Sequence, residues 1–322
     1  MSRAVVVHEL GGPEVLKLEE RPALSPKAGQ VVVRNEAIGL NFVDVYQRTG
    51  LYKLPAPFTP GGEGAGTITA VGDGVTDLKI GDRVLYNSGG AYAGEVAAPQ
   101  DKIVRLPDDI SSEAAATLVT KGGTAHYLLF ETWPLKAADT ILVHAASGGV
   151  GSLLVQWATA QGATVIALAG SDEKVATARA NGAKHAFNSR EDGWVAKVRE
   201  ATGGRGVDVV YDSVGRDTYP ASLDCLKPRG LWASFGNSSG PVDAFNIGIL
   251  AQKGALYATR PTLFTYVATR PALEACANSL FDVVQSNKVR ININQTYPLA
   301  EAGRAHTDLE TRKTSGTTLL IP

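Results

Sequence analysis

Ile141-Leu142-Val143-His144-Ala145-Ala146-Ser147-Gly148-Gly149-Val150-Gly151 is the stretch whose reading decides the fold. Its first four residues make a short apolar run, the length of a buried strand. Beyond the glycines, Val150, Leu153, Leu154, Trp157 and Ala158 recur at helical spacing and give one apolar face. Gly162 stops that helix, and Thr164-Val165-Ile166-Ala167-Leu168 reads as the next strand. Strand, glycine-rich turn, helix and strand form a βαβ unit of a parallel sheet. In that setting Gly148 lets the backbone approach a pyrophosphate, and Gly151 lets the helix pack closely on the strand. The helix start adds unpaired N–H donors and the positive end of its dipole. Ala146 stands where the first glycine of the G-x-G-x-x-G fingerprint is usual.

Coenzyme choice falls about 20 residues on, at the tip of the second strand. NAD-binding chains place a carboxylate there for the ribose hydroxyls. Here the run is Ala167-Leu168-Ala169-Gly170-Ser171, with no acid at its tip. Gly170 leaves room for a 2′-phosphate, Ser171 can donate to it, and Lys174 supplies counter-charge. Asp172 and Glu173 oppose that charge unless they face solvent. The expected cofactor is NADPH.

Working outward, two textures alternate. Up to about residue 110, short β-like runs such as Val5-Val6-Val7, Val31-Val32-Val33 and Arg83-Val84-Leu85 are bounded by Gly, Pro and Asp. That spacing predicts a β-barrel-like domain. From 124 to 265 strands alternate with helices, and from 266 the mixed texture returns without a linker. The expected fold is therefore α/β: a barrel domain from 1–123 and 266–322, with a doubly wound parallel-sheet domain over 124–265 between them. The helices are expected to end near Gly182 and to run from 192 to 202, and the last strands to fall near 207–212, 230–236 and 255–259.

Composition narrows the function. The chain has 322 residues and a formal net charge of -1, which gives no basic surface for nucleic acid. No apolar run reaches the roughly 20 residues of a membrane span. The opening Met-Ser-Arg-Ala-Val-Val-Val reads directly into a strand, without signal-peptide architecture, so a cytoplasmic location is expected. Two cysteines, Cys225 and Cys276, are too few for a disulfide framework or a structural zinc lobe.

Several motifs then occur in one order. Asn41-Phe42-Val43-Asp44 precedes Gly61-Gly62-Glu63-Gly64-Ala65-Gly66-Thr67-Ile68-Thr69-Ala70-Val71-Gly72, and Gly81-Asp82-Arg83-Val84 follows. Asp212-Ser213-Val214-Gly215 and Phe235-Gly236-Asn237-Ser238-Ser239-Gly240 complete the series. Over essentially its whole length the chain resembles the zinc-free, ζ-crystallin-like quinone oxidoreductases of the medium-chain dehydrogenases/reductases. The resemblance implies a GroES-like catalytic domain, a Rossmann domain and a homodimer paired through the Rossmann sheet edge. Candidates for that edge are Ile247-Gly248-Ile249-Leu250 and Ala255-Leu256-Tyr257-Ala258-Thr259. It also implies Gly149 and Val150 at the pyrophosphate, Asn237 near the adenine or nicotinamide edge, and Arg312 reaching the 2′-phosphate. Relatives carry a Tyr that flanks the adenosine phosphate where this chain has Ser189, in Phe187-Asn188-Ser189-Arg190; Arg190 is a substitute cation. Asn41, Tyr46 and Tyr52 are implied to line the nicotinamide and substrate pocket.

The zinc alcohol dehydrogenases of this superfamily have Cys where Asn41 sits and His where Gly62 sits. His8, His126, His144, His185 and His306 are scattered, so no metal is expected. A simple ketone would become an alkoxide, whose conjugate acid has a pKa of about 16, and needs a Lewis acid. A quinone becomes an aryloxide whose conjugate acid has a pKa of roughly 10, within reach of ordinary donors. A conjugated aldehyde or ketone, which yields an enolate, satisfies the same argument. A non-catalytic NADPH- or RNA-binding role is the remaining rival.

Overall fold

The computed structural model describes residues 2–322. The chain forms two compact units, each with its own core. The first takes the chain up to Gly123, together with Val267–Gln285 and Ile291–Pro322. The second takes Thr124–Tyr266 and Ser286–Arg290.

In the first unit a seven-stranded sheet runs Ile293–Pro298, Thr317–Ile321, Gln30–Gly39, Glu63–Val71, Arg83–Asn87 and Ile103–Arg105, with Glu95–Pro99 also on Gln30–Gly39. Gln30–Gly39 is ten residues long and pairs antiparallel with three strands. Register shifts after Val32 and after Asn35 bend it, which lets one strand serve a curved, barrel-like sheet. Its inward side chains, Val31, Val33 and Ile38, join Ile68, Val84, Tyr86 and Leu320 in the core. The end of the chain, Leu319 and Leu320, pairs with Gly39 and Ile38.

In the second unit six parallel strands run in the order His185–Asn188, Thr164–Ala169, Thr140–Val143, Val207–Asp212, Leu226–Ser234 and Tyr257–Thr259. Numbered along the chain this is 3-2-1-4-5-6, the doubly wound Rossmann order, with its switch between the first and fourth strands. Leu142, Ile166, Leu168, Val210 and Trp232 pack on one side among helix residues such as Val198 and Leu223. Ser286–Arg290 joins this unit because Gln156 clasps it, donating to the Arg290 carbonyl at 3.2 Å and accepting its N–H at 2.8 Å. Local reading missed two features. Ile247 caps the helix Gly248–Gln252, so Gly248–Leu250 is helical, and the last strand begins at Tyr257, because Ala255 adopts a left-handed φ of 53°.

Candidate active site and coenzyme-binding turn

The helix Gly149–Ala160 opens without a side-chain cap, since its N-cap is Gly148. The first N–H groups of the helix therefore have no acceptor within it, and a pyrophosphate can take them. Ala145, at φ 47°, turns the chain out of the strand and aims its carbonyl at the helix. A Cβ on Gly151 would collide with that carbonyl, and one on Gly148 would lie 3.2 Å from it. Ala146 is fully buried behind the turn.

Twenty residues on, the strand Thr164–Ala169 ends beside three polar side chains. Ser171 caps the helix Asp172–Ala180, accepting the Lys174 N–H at 3.4 Å. Arg190 lies over Gly170, its Nε 3.7 Å from where a Cβ would stand. Asp172 is exposed and takes the amide of Asn188, the residue paired with Ala169, at 3.0 Å. Ser189 donates to the Ala169 carbonyl at 3.2 Å and so ties its strand to the neighbouring one. Asn237 follows the strand Leu226–Ser234, and its amide oxygen pairs with Arg260 at 3.1 Å in the orientation that satisfies both groups. Arg260 carried no sequence signal. Arg312 lies in the other unit, exposed, in the turn after the helix Ala302–Glu310.

At the switch point Asp212 is fully buried and accepts from Val214 N–H, Thr218, Ser222 and Trp232 at 2.8–3.1 Å. Burial alone would raise its pKa, but His144 and these donors outweigh that and hold it below the usual carboxylate range. Asp212 thus fixes the loop that follows its strand. His144, bonded to Ser222 at 2.9 Å, is a core histidine whose pKa burial lowers.

The first unit carries a second polar cluster. Asn41 caps the helix Phe42–Thr49, and its backbone N–H donates to Asp44 at 2.8 Å. On that helix Tyr46 meets Tyr52 edge-to-face, centroids 5.2 Å apart; Tyr46 is buried and Tyr52 is 37% exposed. The Asn41 amide nitrogen is turned inward, donating to Glu63 at 2.8 Å and to the Gly39 carbonyl at 3.4 Å. Both amide hydrogens are thereby used within the protein. Glu63 accepts also from Thr120 N–H at 2.7 Å and from the Lys121 ammonium at 3.4 Å. Its carboxylate lies over Gly39, where a Cβ would come within 2.5 Å of it.

Asp44 continues the network. It accepts from Tyr92 Oη at 2.9 Å, Tyr92 meets His306 at 3.0 Å, and His306 meets Arg48 at 3.4 Å. Arg48 then pairs with Glu310 at the rim. Burial raises the Asp44 pKa to about 7 against the hydrogen bonds from Asn41 and Tyr92. Burial, aided by Arg48, lowers that of His306 to about 3.

The comparisons with known proteins follow this division. Residues 27–133 match the alcohol dehydrogenase GroES-like domain, and residues 149–265 the zinc-binding dehydrogenase domain. A quinone oxidoreductase of Pseudomonas aeruginosa is 48% identical, with 100% of both chains covered. The chain belongs to the quinone oxidoreductase family of medium-chain dehydrogenases/reductases. A solved structure of the Escherichia coli quinone oxidoreductase complexed with NADPH superposes at TM-score 0.97, with 46% identity over 99% of this chain and 100% of that one. A 2-haloacrylate reductase of a Burkholderia species is 41% identical over 100% of this chain and 99% of its own.

The zinc in one domain's description does not fit this member of the family. Among the described residues no group of three His, Cys, Asp or Glu side chains is placed to hold a metal ion. Asn41 and Gly62 supply neither thiolate nor imidazole. Glu63, Lys121, Asp44 and the His306 relay escaped the sequence reading. Glu63 lay inside the glycine-rich signature, and Lys121 was the single charge in Ala114–Gly123, but only the fold makes them neighbours.

Proposed function

We propose that this chain is an NADPH-dependent quinone reductase that works without a metal. The observation that carries the reading is the coenzyme turn: an uncapped helix start paired with an acid-free strand tip holding Gly170, Ser171, Lys174 and Arg190. Gly148, Gly149, Val150 and Gly151 form the pyrophosphate seat, and Ser171, Lys174 and Arg190 receive the 2′-phosphate. Asn237 pairs with Arg260 after its own strand, Ser189 braces the strand tip, and Arg312 belongs to the coenzyme set only through the resemblance. Bound NADPH supplies two electrons and a proton as hydride equivalent, leaving NADP+, and a solvent proton completes the hydroquinone. The chain seats the coenzyme, and Tyr46 and Tyr52 offer ring faces to a planar acceptor.

The test is NADPH oxidation with 1,4-naphthoquinone, with crotonaldehyde and with no acceptor, repeated with NADH. Quinone-dependent turnover with NADPH supports the reading. Turnover with crotonaldehyde alone moves the enzyme to conjugated carbonyls, the reading favoured by its 41% identity to a 2-haloacrylate reductase. Binding of NADPH without turnover of either acceptor rejects both.

A homodimer is part of the same proposal. Tyr257–Thr259 ends its sheet with one neighbour, and Tyr257 and Ile247 are 59% and 74% exposed. An unpaired, apolar edge of this kind pairs readily with a second copy. No helix among the described residues is long and apolar enough to cross a membrane. A count of only two cysteines, both buried, suits the reducing cytoplasm in which we place the enzyme.

A further inference from the structure

Lys121 is 5% exposed, and its ammonium carries three donors. Among the described residues its one hydrogen-bond partner is Glu63 Oε1, at 3.4 Å. That oxygen is already taken by the Asn41 amide at the shorter distance of 2.8 Å, and the other by Thr120 N–H at 2.7 Å. A buried cation is costly unless its donors are matched. A purely structural lysine in this place would be expected to make closer and more numerous bonds. Beside Glu63 in the chain, a Cβ added to Gly62 would meet nothing within 4 Å.

We propose that Lys121 is a catalytic residue whose spare donors bind the acceptor oxygen of a quinone as negative charge develops on it. The assignment rests on the quinone reductase reading above. When the acceptor gains two electrons and a proton it becomes a hydroquinone monoanion, and a solvent proton makes it neutral. Lys121 stabilises the monoanion by charge-assisted hydrogen bonding and is itself unchanged at the end. Glu63 is the positioning residue: it holds the ammonium while Asn41 and Thr120 hold its carboxylate. A fixed cation then supplies the positive charge that a metal gives in the zinc enzymes.

Two experiments on the full-length protein test this. The first needs neither coenzyme nor turnover: 4-nitrophenolate is titrated against the wild type and Lys121→Met, read by the phenolate absorbance. The expected result is an affinity about 10- to 100-fold weaker in the variant; equal affinity overturns the assignment. The second compares kcat for a series of quinones whose hydroquinones differ in acidity. Lys121→Met should lose about 100-fold, with the loss growing as the product anion becomes more basic, while the Kd for NADPH stays unchanged. Lys121→Arg should recover part of the rate. A loss equal for all acceptors marks a structural role and rejects the proposal. Should Lys121→Met not fold, Lys121→Gln and Lys121→Arg carry the same comparison: loss in the first with retention in the second supports it, and equal behaviour overturns it. If the wild type turns over no quinone, the functional reading fails, and the phenolate titration still decides whether Lys121 binds an aryloxide.

Discussion

At the tip of Thr164–Ala169, coenzyme preference reduces to a few side chains. A carboxylate at position 170 would stand near the Arg190 side chain, in the place proposed for a 2′-phosphate. Gly170→Asp is therefore expected to lower kcat/KM for NADPH by about 10- to 100-fold, the worth of one or two charge-assisted bonds. The same change should raise kcat/KM for NADH, and steady-state kinetics with both coenzymes measure it. Arg190→Ala should weaken NADPH alone, by about 10-fold in Kd; equal weakening of NADH would show that Arg190 does not face the phosphate. In the first unit, Asn41→Ala removes the donor at 2.8 Å from Glu63. Its kcat should fall with little change in NADPH affinity, because what is lost is the orientation of a carboxylate.

At the scale of single elements, the helix Phe42–Thr49 depends on Asp44, which accepts the Asn41 N–H at its start. Burial has raised the pKa of Asp44 to about 7 in the folded chain. The fold therefore binds a proton that the unfolded chain releases near pH 4, and stability from this group is lost as pH rises through 7. His306 acts oppositely: its folded pKa of about 3 costs stability as pH falls below the ordinary histidine range. The difference in Tm between wild type and Asp44→Asn isolates the first effect. That difference should move against the wild type between pH 4 and 8, in buffers compared by thermal denaturation. A constant difference would mean that Asp44 stays ionised throughout. The turn into Gly149–Ala160 tolerates no side chain at 151, where the Ala145 carbonyl stands. Gly151→Val should cost about 1–3 kcal/mol of stability and weaken NADPH binding, read by denaturation and coenzyme fluorescence.

For the whole molecule, the proposed homodimer would pair through the edge strand Tyr257–Thr259, which has one neighbour in its sheet. Light scattering at micromolar concentration should give the mass of two chains. Tyr257→Lys, which sets like charges opposite each other across a two-fold edge, should shift that mass toward one chain. A wild-type mass of one chain would remove the dimer. Within the first unit, the C-terminal strand Thr317–Ile321 lies against Ile38 and Gly39, two residues from Asn41. Truncation before Thr317 should therefore destabilise the strand that leads into the helix Phe42–Thr49, and not merely trim a tail.

Much of this protein is local in origin. The strand Ile141–Val143, the helix face of Val150, Leu153, Leu154 and Trp157, and the stops at Gly162 and Gly182 follow from period and turn chemistry over a dozen residues. The acid-free tip at Gly170 and Ser171 is equally local, so the fold class was legible without coordinates and the proposed coenzyme rests on the same short stretch. The anchoring of the site was not. Asn41, Glu63 and Lys121 are 22 and 58 residues apart along the chain; the pairing of Gln30–Gly39 with Glu63–Val71 brings the first two together, and the helical segment Leu118–Gly122 brings the third. Tertiary packing turned the Asn41 amide inward, left Lys121 with unspent donors, raised the pKa of Asp44 and lowered that of His306. Periodicity records which side chains are buried. What a buried polar group bonds to is set by segments far away in the chain, because its partner must replace the water that burial removed.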